Sequence, residues 1–153
     1  MRRREFITGT AASAACGLVR PAYAQTGTRP PGIKRIAFVH AAEKVEDMTV
    51  NGRRSIKAFF KELSRLGYIE GRNLVVERYS ALGRPDRYPD LARAVVASQP
   101  DLIVAAQATV ALQFKLLTTT IPILASSADP IVLGLVTNLA RPGGNFTDRK
   151  SVV

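Results

Sequence analysis

Residues 101–107, DLIVAAQ, are the strongest constraint on the fold. Leu102 to Ala106 carry no polar side chain on either alternate set of positions. A strand with both faces apolar must be covered on both, which is the situation of a central strand in a parallel sheet flanked by helices. The neighbouring segments repeat the pattern. Residues 33–40 (IKRIAFVH) are rich in β-branched and aromatic residues and read as a buried strand, as do 73–80 (NLVVERYS) and 121–126 (IPILAS). Pro122 falls at the start of the last of these, where a missing donor is tolerated.

Helical spacing fills the gaps. Over residues 50–67, Ile56, Phe59, Phe60, Leu63 and Leu66 share one face, and Arg53, Arg54, Lys57, Lys61 and Arg65 fall mostly on the other. Gly67 supplies a stop. Residues 86–98 turn Tyr88, Leu91, Ala92, Val95 and Val96 inward, and 108–117 align Val110, Phe114 and Leu117. Asp129-Pro130 suits the start of a last helix over about 130–140, with Asp129 as N-cap and proline in the first turn. Four strand–helix units in a row predict an α/β fold, a doubly wound parallel sheet with right-handed crossovers.

In such a sheet, ligands bind beyond the carboxyl ends of the strands, where the strand order reverses. Small and polar residues gather at those ends: His40 and Ala41, then Gln107, Ala108 and Thr109, then Ser126, Ser127, Ala128 and Asp129. Small side chains let a ligand approach the helix N-termini, whose free N–H groups favour a carboxylate or other anion. Asp129 or a hydroxyl answers an ammonium group. Each residue also has a plainer role. Asp129 serves as an N-cap, Ser127 and Thr109 as turn or capping residues, and His40 as a loop or packing residue.

The N-terminus reads as an export signal. Residues 1–24 hold a basic start, an apolar run from Phe6 to Val19, and Ala22-Tyr23-Ala24 as a cleavage signal before Gln25. The run is shorter than the ~20 residues of a membrane span. Arg3-Arg4 followed by Phe6-Ile7 fits the twin-arginine pattern. Cys16 lies inside the segment, and Ser13 replaces the aliphatic residue expected three places before a lipidated cysteine. Cleavage after Ala24 leaves ~129 residues and no cysteine, so neither a disulfide nor thiol chemistry is expected. Residues 25–32 read as a flexible lead-in.

The net charge of the whole chain is +10. Residues 1–24 carry four arginines and one glutamate, so about +7 remains without them. Those charges are scattered over helix faces, which points to solvated surface and away from nucleic acid. No dinucleotide or nucleoside-triphosphate glycine loop, zinc-protease motif or serine nucleophile elbow occurs. One histidine does not build an ordinary metal centre. No cofactor is expected.

Longer stretches carry a resemblance. RRREFI, IKRIAFV, the turn GYIEGRN at 67–73, and TTTIPILASSADPIVLGLVTNLARPGGNFT at 118–147 are similar to the periplasmic substrate-binding proteins of ABC transporters. Within that group the chain resembles the uncharacterised or tryptophan-like solute receptors, over nearly all of residues 1–147. The resemblance implies two α/β lobes closing on a small organic, plausibly amino-acid-like solute, with an ABC permease at the inner membrane as partner and a periplasmic location. Only the first lobe, 33–147, is expected here. Carried over by position, its ligand face comprises Ala41, Gln107, Thr109, Ser127 and Asp129. The family pattern has glycine at 148 and then an apolar strand. This chain has DRKSVV, so 148–153 is expected to be a non-native or truncated tail. The alternatives are an exported ligand-sensing module for a membrane signalling partner and a small flavodoxin-like enzyme.

Overall fold

A computed structural model describes residues 32–126, 131–135, 137–138 and 144–148. Five parallel strands form one sheet in the order β2-β1-β3-β4-β5. They span Lys34–His40 (β1), Leu74–Ser80 (β2), Leu102–Ala105 (β3), Ile123–Ala125 (β4) and Phe146–Asp148 (β5). Three helices, Arg54–Arg65 (α1), Tyr88–Ala97 (α2) and Ala108–Lys115 (α3), connect the first four strands. The chain adds β2 on one side of β1 and β3 on the other. The strand order therefore reverses between β1 and β3.

Period-two alternation divides the core between the two faces of the sheet. Ala37 and Val39 of β1, Ile103 and Ala105 of β3, and Ile123 and Ala125 of β4 pack with Ala92 and Val95 of α2 and Val110, Ala111 and Phe114 of α3. The intervening residues, Ile36, Phe38 and Val104, pack with Met48, and with Ile56 and Phe60 of α1. Helices cover both faces, as the doubly wound expectation requires. On the α1 face, Phe38 stacks on Phe59 with centroids 5.3 Å apart, and Phe60 meets both rings edge-on.

The helices are shorter than their sequence periodicity suggests. α1 begins at Arg54 instead of residue 50, because residues 49–52 form a turn closed by Gly52 N–H on Thr49 O at 3.0 Å. A β-carbon at Gly52 would lie 1.8 Å from the Asp47 carbonyl oxygen, so only glycine permits this approach. At the other end, Gly67 adopts φ +86°, with Tyr68 N–H on Leu63 O and Gly67 N–H on Ser64 O. This is the left-handed C-terminal cap that glycine favours. It leaves Leu66 exposed instead of inward. Leu117 likewise lies beyond the end of α3 and is partly exposed.

Two further differences concern the C-terminal part. Of the helix expected over 130–140, the described residues 131–134 form a turn closed by Gly134 N–H on Ile131 O at 2.8 Å. Gly134 has φ +65°, which an α-helix does not accept. The rest of that expected helix lies largely outside the described residues. The sequence reading also ended the lobe at Thr147 without a fifth strand. In the structure Phe146–Asp148 pairs in parallel with Ile123–Ala125, so the sheet extends through Asp148. Asn145 anchors this strand: its backbone oxygen accepts from Ile123 N–H at 2.8 Å, and its amide donates to Thr118 O and Ile121 O.

Candidate functional site at the carboxyl ends of β1 and β3

The reversal point places the end of β1 beside the end of β3. Val39 pairs with Ala105, and Ala106 N–H donates to Val39 O at 2.9 Å. The next residues on each side, His40 and Ala41 on one strand and Gln107 on the other, meet across the crevice. The Gln107 Oε1 accepts from Ala41 N–H at 2.8 Å. The Gln107 Nε2 lies 2.8 Å from His40 Nε2 and 3.2 Å from His40 Nδ1. The same Nδ1 accepts from Glu43 N–H at 2.8 Å and from Ala42 N–H at 3.1 Å. His40 is thus a buried, hydrogen-bonded part of the crevice, 7% exposed, and its contacts extend well beyond packing.

The imidazole is neutral near pH 7. Burial lowers its pKa from the ordinary 6.5, the nearby Glu43 charge raises it, Arg53 lowers it, and the net shift is downward. Glu43 is itself held by Arg53 Nε at 2.7 Å. The Ser80 hydroxyl donates to the Glu43 carbonyl, tying the loop after β1 to the end of β2.

Gln107 also occupies the N-cap position of α3, where Ala111 N–H on Gln107 O is the first bond of the helix. The N–H groups of its first turn, including that of exposed Thr109, have no partner within the helix. A cavity of ≈ 290 Å³ opens beside this cluster on the α1 side of the sheet. Phe38, Ile56, Phe59, Val104 and Leu124 form its apolar wall, and His40, Arg53, Ser55, Gln107 and Ser126 bring polar groups to it.

Of the five site residues expected from the sequence, Ala41 and Gln107 are joined directly and Thr109 lies in the first turn of α3. Ser127 and Asp129 lie outside the described residues. Their neighbour Ser126 follows β4, with its N–H on Ala105 O at 3.0 Å. Sequence reasoning missed Arg53, Ser55 and Phe59. The signal for them was topological: in a parallel sheet every crossover helix starts at the carboxyl edge, so the first turns of α1 and α3 point to the same crevice. Among the described residues, no group of three His, Cys, Asp or Glu is placed to hold a metal ion, and no helix is long and apolar enough to cross a membrane.

The model of the ABC transporter substrate binding protein family matches residues 47–149. The chain belongs to this family. The match begins in the loop after β1 and ends beside β5. The family is one of substrate-binding proteins of ABC transporters. A conserved domain protein from Vibrio cholerae O1 biovar El Tor is similar at 28% identity and TM-score 0.65, over 75% of this chain and 38% of that one. A substrate-binding protein with adhesive properties from Clostridium difficile, in a ligand-free, open structure, is similar at 25% identity and TM-score 0.65, over 76% and 38%. An ABC domain from Streptococcus pneumoniae in complex with L-Trp shares the fold at 21% identity and TM-score 0.65, over 76% and 38%. The chain therefore spans 38% of the length of each, in keeping with one lobe. No curated protein matches the chain.

Proposed function

We propose that this lobe is one wall of the ligand cleft of an exported receptor for an ABC importer. The receptor captures a small organic solute and delivers it to a membrane permease. The observation that carries the reading is the crevice between β1 and β3 in a chain of the substrate-binding family. There Gln107, held by the Ala41 N–H, lines a cavity with an apolar wall, and Thr109 lies in the first turn of the helix that Gln107 begins. Hydrogen bonds and the N-terminus of α3 hold the polar end of the solute, and the Phe38 and Phe59 wall takes its apolar part. Ser127 and Asp129 complete the polar set from the loop after β4. The process is binding without bond making or breaking, so the receptor is not an enzyme.

An amino-acid-like solute fits the size of the cavity and its mixed lining. The lobe works with a second one that closes on the ligand. Residues 1–24 direct export to the periplasm through Arg3-Arg4. The functional test is a calorimetric screen of L-amino acids on a receptor that carries both lobes. Saturable binding to one of them supports the reading, and no binding across amino acids and related organic acids overturns it. Residues 25–153 alone supply one wall, and are expected to bind more weakly than about 1 µM. Tighter binding by that fragment contradicts the two-lobe reading.

A further inference from the structure

We infer that His40 is a pH-sensitive clasp on the crevice: its neutral ring ties down both the loop after β1 and Gln107, and protonation in acid releases them. The inference concerns regulation of the crevice, and its consequence for solute binding rests on the receptor reading. The His40 Nδ1 accepts two backbone N–H groups of the loop that follows it, from Glu43 at 2.8 Å and Ala42 at 3.1 Å. Asparagine and aspartate more often make this local side-chain-to-backbone turn, and neither changes from acceptor to donor near neutral pH. The Gln107 Nε2 lies 2.8 Å from one ring nitrogen and 3.2 Å from the other, so it sits over the ring face and not in line with a ring N–H. Both partners thus present N–H groups to the ring. The same loop is joined to its surroundings by Ala41 N–H on Gln107 Oε1, by the Ser80 hydroxyl on Glu43 O and by Gly83 N–H on Ala41 O.

With Nδ1 accepting, the neutral ring carries its proton on Nε2, and a second proton goes to Nδ1. That proton sets an N–H against the N–H groups of Ala42 and Glu43 and puts positive charge beneath the Gln107 amide hydrogens. Among the described residues, the charged groups that face the ring are Glu43, from the loop itself, and Arg53, at the start of α1. Ser80 at the end of β2, Gln107 at the start of α3 and Ser126 after β4 are neutral. Arg53 repels the imidazolium and also holds the Glu43 carboxylate at 2.7 Å, so Glu43 offsets the repulsion only in part. The ring is buried, and little water reaches the new charge. Burial accordingly holds the pKa below the ordinary 6.5. The closed loop favours the neutral ring, so it is complete above pH 6.5 and is lost as the pH falls through the lower value of the closed state. Its release takes the Ala41 N–H from Gln107 and the Glu43 carboxylate from Arg53, two residues that line the cavity.

His40 is the sole histidine of the chain, so imidazole nitrogen NMR follows it alone. At neutral pH the Nε2–H tautomer is expected. On acidification, the ring, the amides of Ala41, Ala42 and Glu43 and the Gln107 side-chain amide are expected to move with one midpoint below 6.5, while the amides of Arg35 and Ser98 stay in place. His40→Asn sets an oxygen where Nδ1 stands and is expected to keep the neutral-pH signals of the loop and abolish the step. His40→Leu removes the acceptor and is expected to show the acid-state loop signals already at neutral pH. On a receptor that carries both lobes, the amino acid found in the calorimetric screen is expected to bind about tenfold more weakly one pH unit below the midpoint than one unit above it, because only the closed state is competent. His40→Asn is expected to flatten that profile. An Nδ1–H tautomer at neutral pH overturns the inference. So does ring protonation that leaves the loop amides in place, or a step that persists in His40→Asn. If the loop follows the ring but no amino acid binds in the screen, the clasp stands and the receptor reading falls. If an amino acid binds equally well on both sides of the midpoint, the receptor reading stands and His40 does not control the crevice, which overturns this inference.

Discussion

Two polar clusters lie along the sheet, one near the amino end of β1 and one beyond its carboxyl end, and they are built on opposite terms. In the first, the Glu77 carboxylate on β2 receives Arg35 from β1, the Tyr79 hydroxyl at 2.8 Å and the Ser98 hydroxyl at 3.0 Å. Nearby, Asp101 accepts from Arg35 N–H at 2.7 Å and donates its own N–H to Arg35 O at 2.9 Å. Donors meet acceptors, and the cluster joins β1, β2 and the end of α2. In the second, Gln107 Oε1 accepts from Ala41 N–H, and its Nε2 lies 2.8 Å from His40 Nε2 and 3.2 Å from His40 Nδ1, at the edge of the cavity. A matched cluster fastens the fold. The second, free of ion pairs at its centre, lines a cavity.

The contrast is open to mutation. The largest effect on stability is expected from Glu77→Ala, which strands Arg35 and two hydroxyls. The loss is about 2 kcal/mol, read as a lower urea midpoint, with ligand affinity unchanged. Gln107→Ala is expected to do the reverse. Stability falls by about 1 kcal/mol, because the Ala41 N–H loses its acceptor, while solute binding falls about tenfold in calorimetry. Equal destabilisation by both variants removes the distinction.

The two clusters are also expected to separate on a pH scale. Burial lowers the pKa of His40 from 6.5. Burial alone raises that of Glu77, but hydrogen bonds from Arg35, Tyr79 and Ser98, with the Arg35 charge, hold it below the ordinary 4.5. In both cases the unfolded chain binds the proton first as the pH falls, so acid destabilises. The His40 contribution is complete above pH 6.5 and is lost as the pH falls through the folded value. The Glu77 contribution is complete above 4.5 and is lost in a later, more acidic step. Urea midpoints measured against pH are expected to lose the first step in His40→Gln and the second in Glu77→Gln. The smallest effect belongs to the exposed Arg93–Asp90 pair on α2. Arg93→Ala is expected to leave the urea midpoint and solute binding unchanged, because solvent screens such a pair.

Much of the frame was legible because it is local. Two-faced apolar runs announced β1, β3 and β4, and helical spacing announced the buried faces of α1 and α2. The misses depend on contacts that periodicity does not contain. β5 is three residues, FTD, with Phe146 in the core, and it exists through pairing with β4 and the anchoring by Asn145. The late start of α1 follows from the close approach of Gly52 to the Asp47 carbonyl. At the site, Ala41 and Gln107 were singled out from their places at the strand ends. His40 was read more readily as a packing residue, because its bonding to Gln107 spans 67 residues and arises from the register of β1 on β3. Arg53 and Phe59 were read only as faces of a helix, whereas the crossover brings the start of that helix to the crevice.

The most direct test of the central claim is amide NMR of the chain titrated with the amino acid selected by the calorimetric screen. Solute is expected to shift the signals of Ala41, Gln107 and Thr109 and to leave Arg35, Glu77 and Ser98 in place. Shifts concentrated on Arg35, Glu77 and Ser98, with Ala41, Gln107 and Thr109 unmoved, contradict the assignment of the ligand face to the carboxyl ends of β1 and β3.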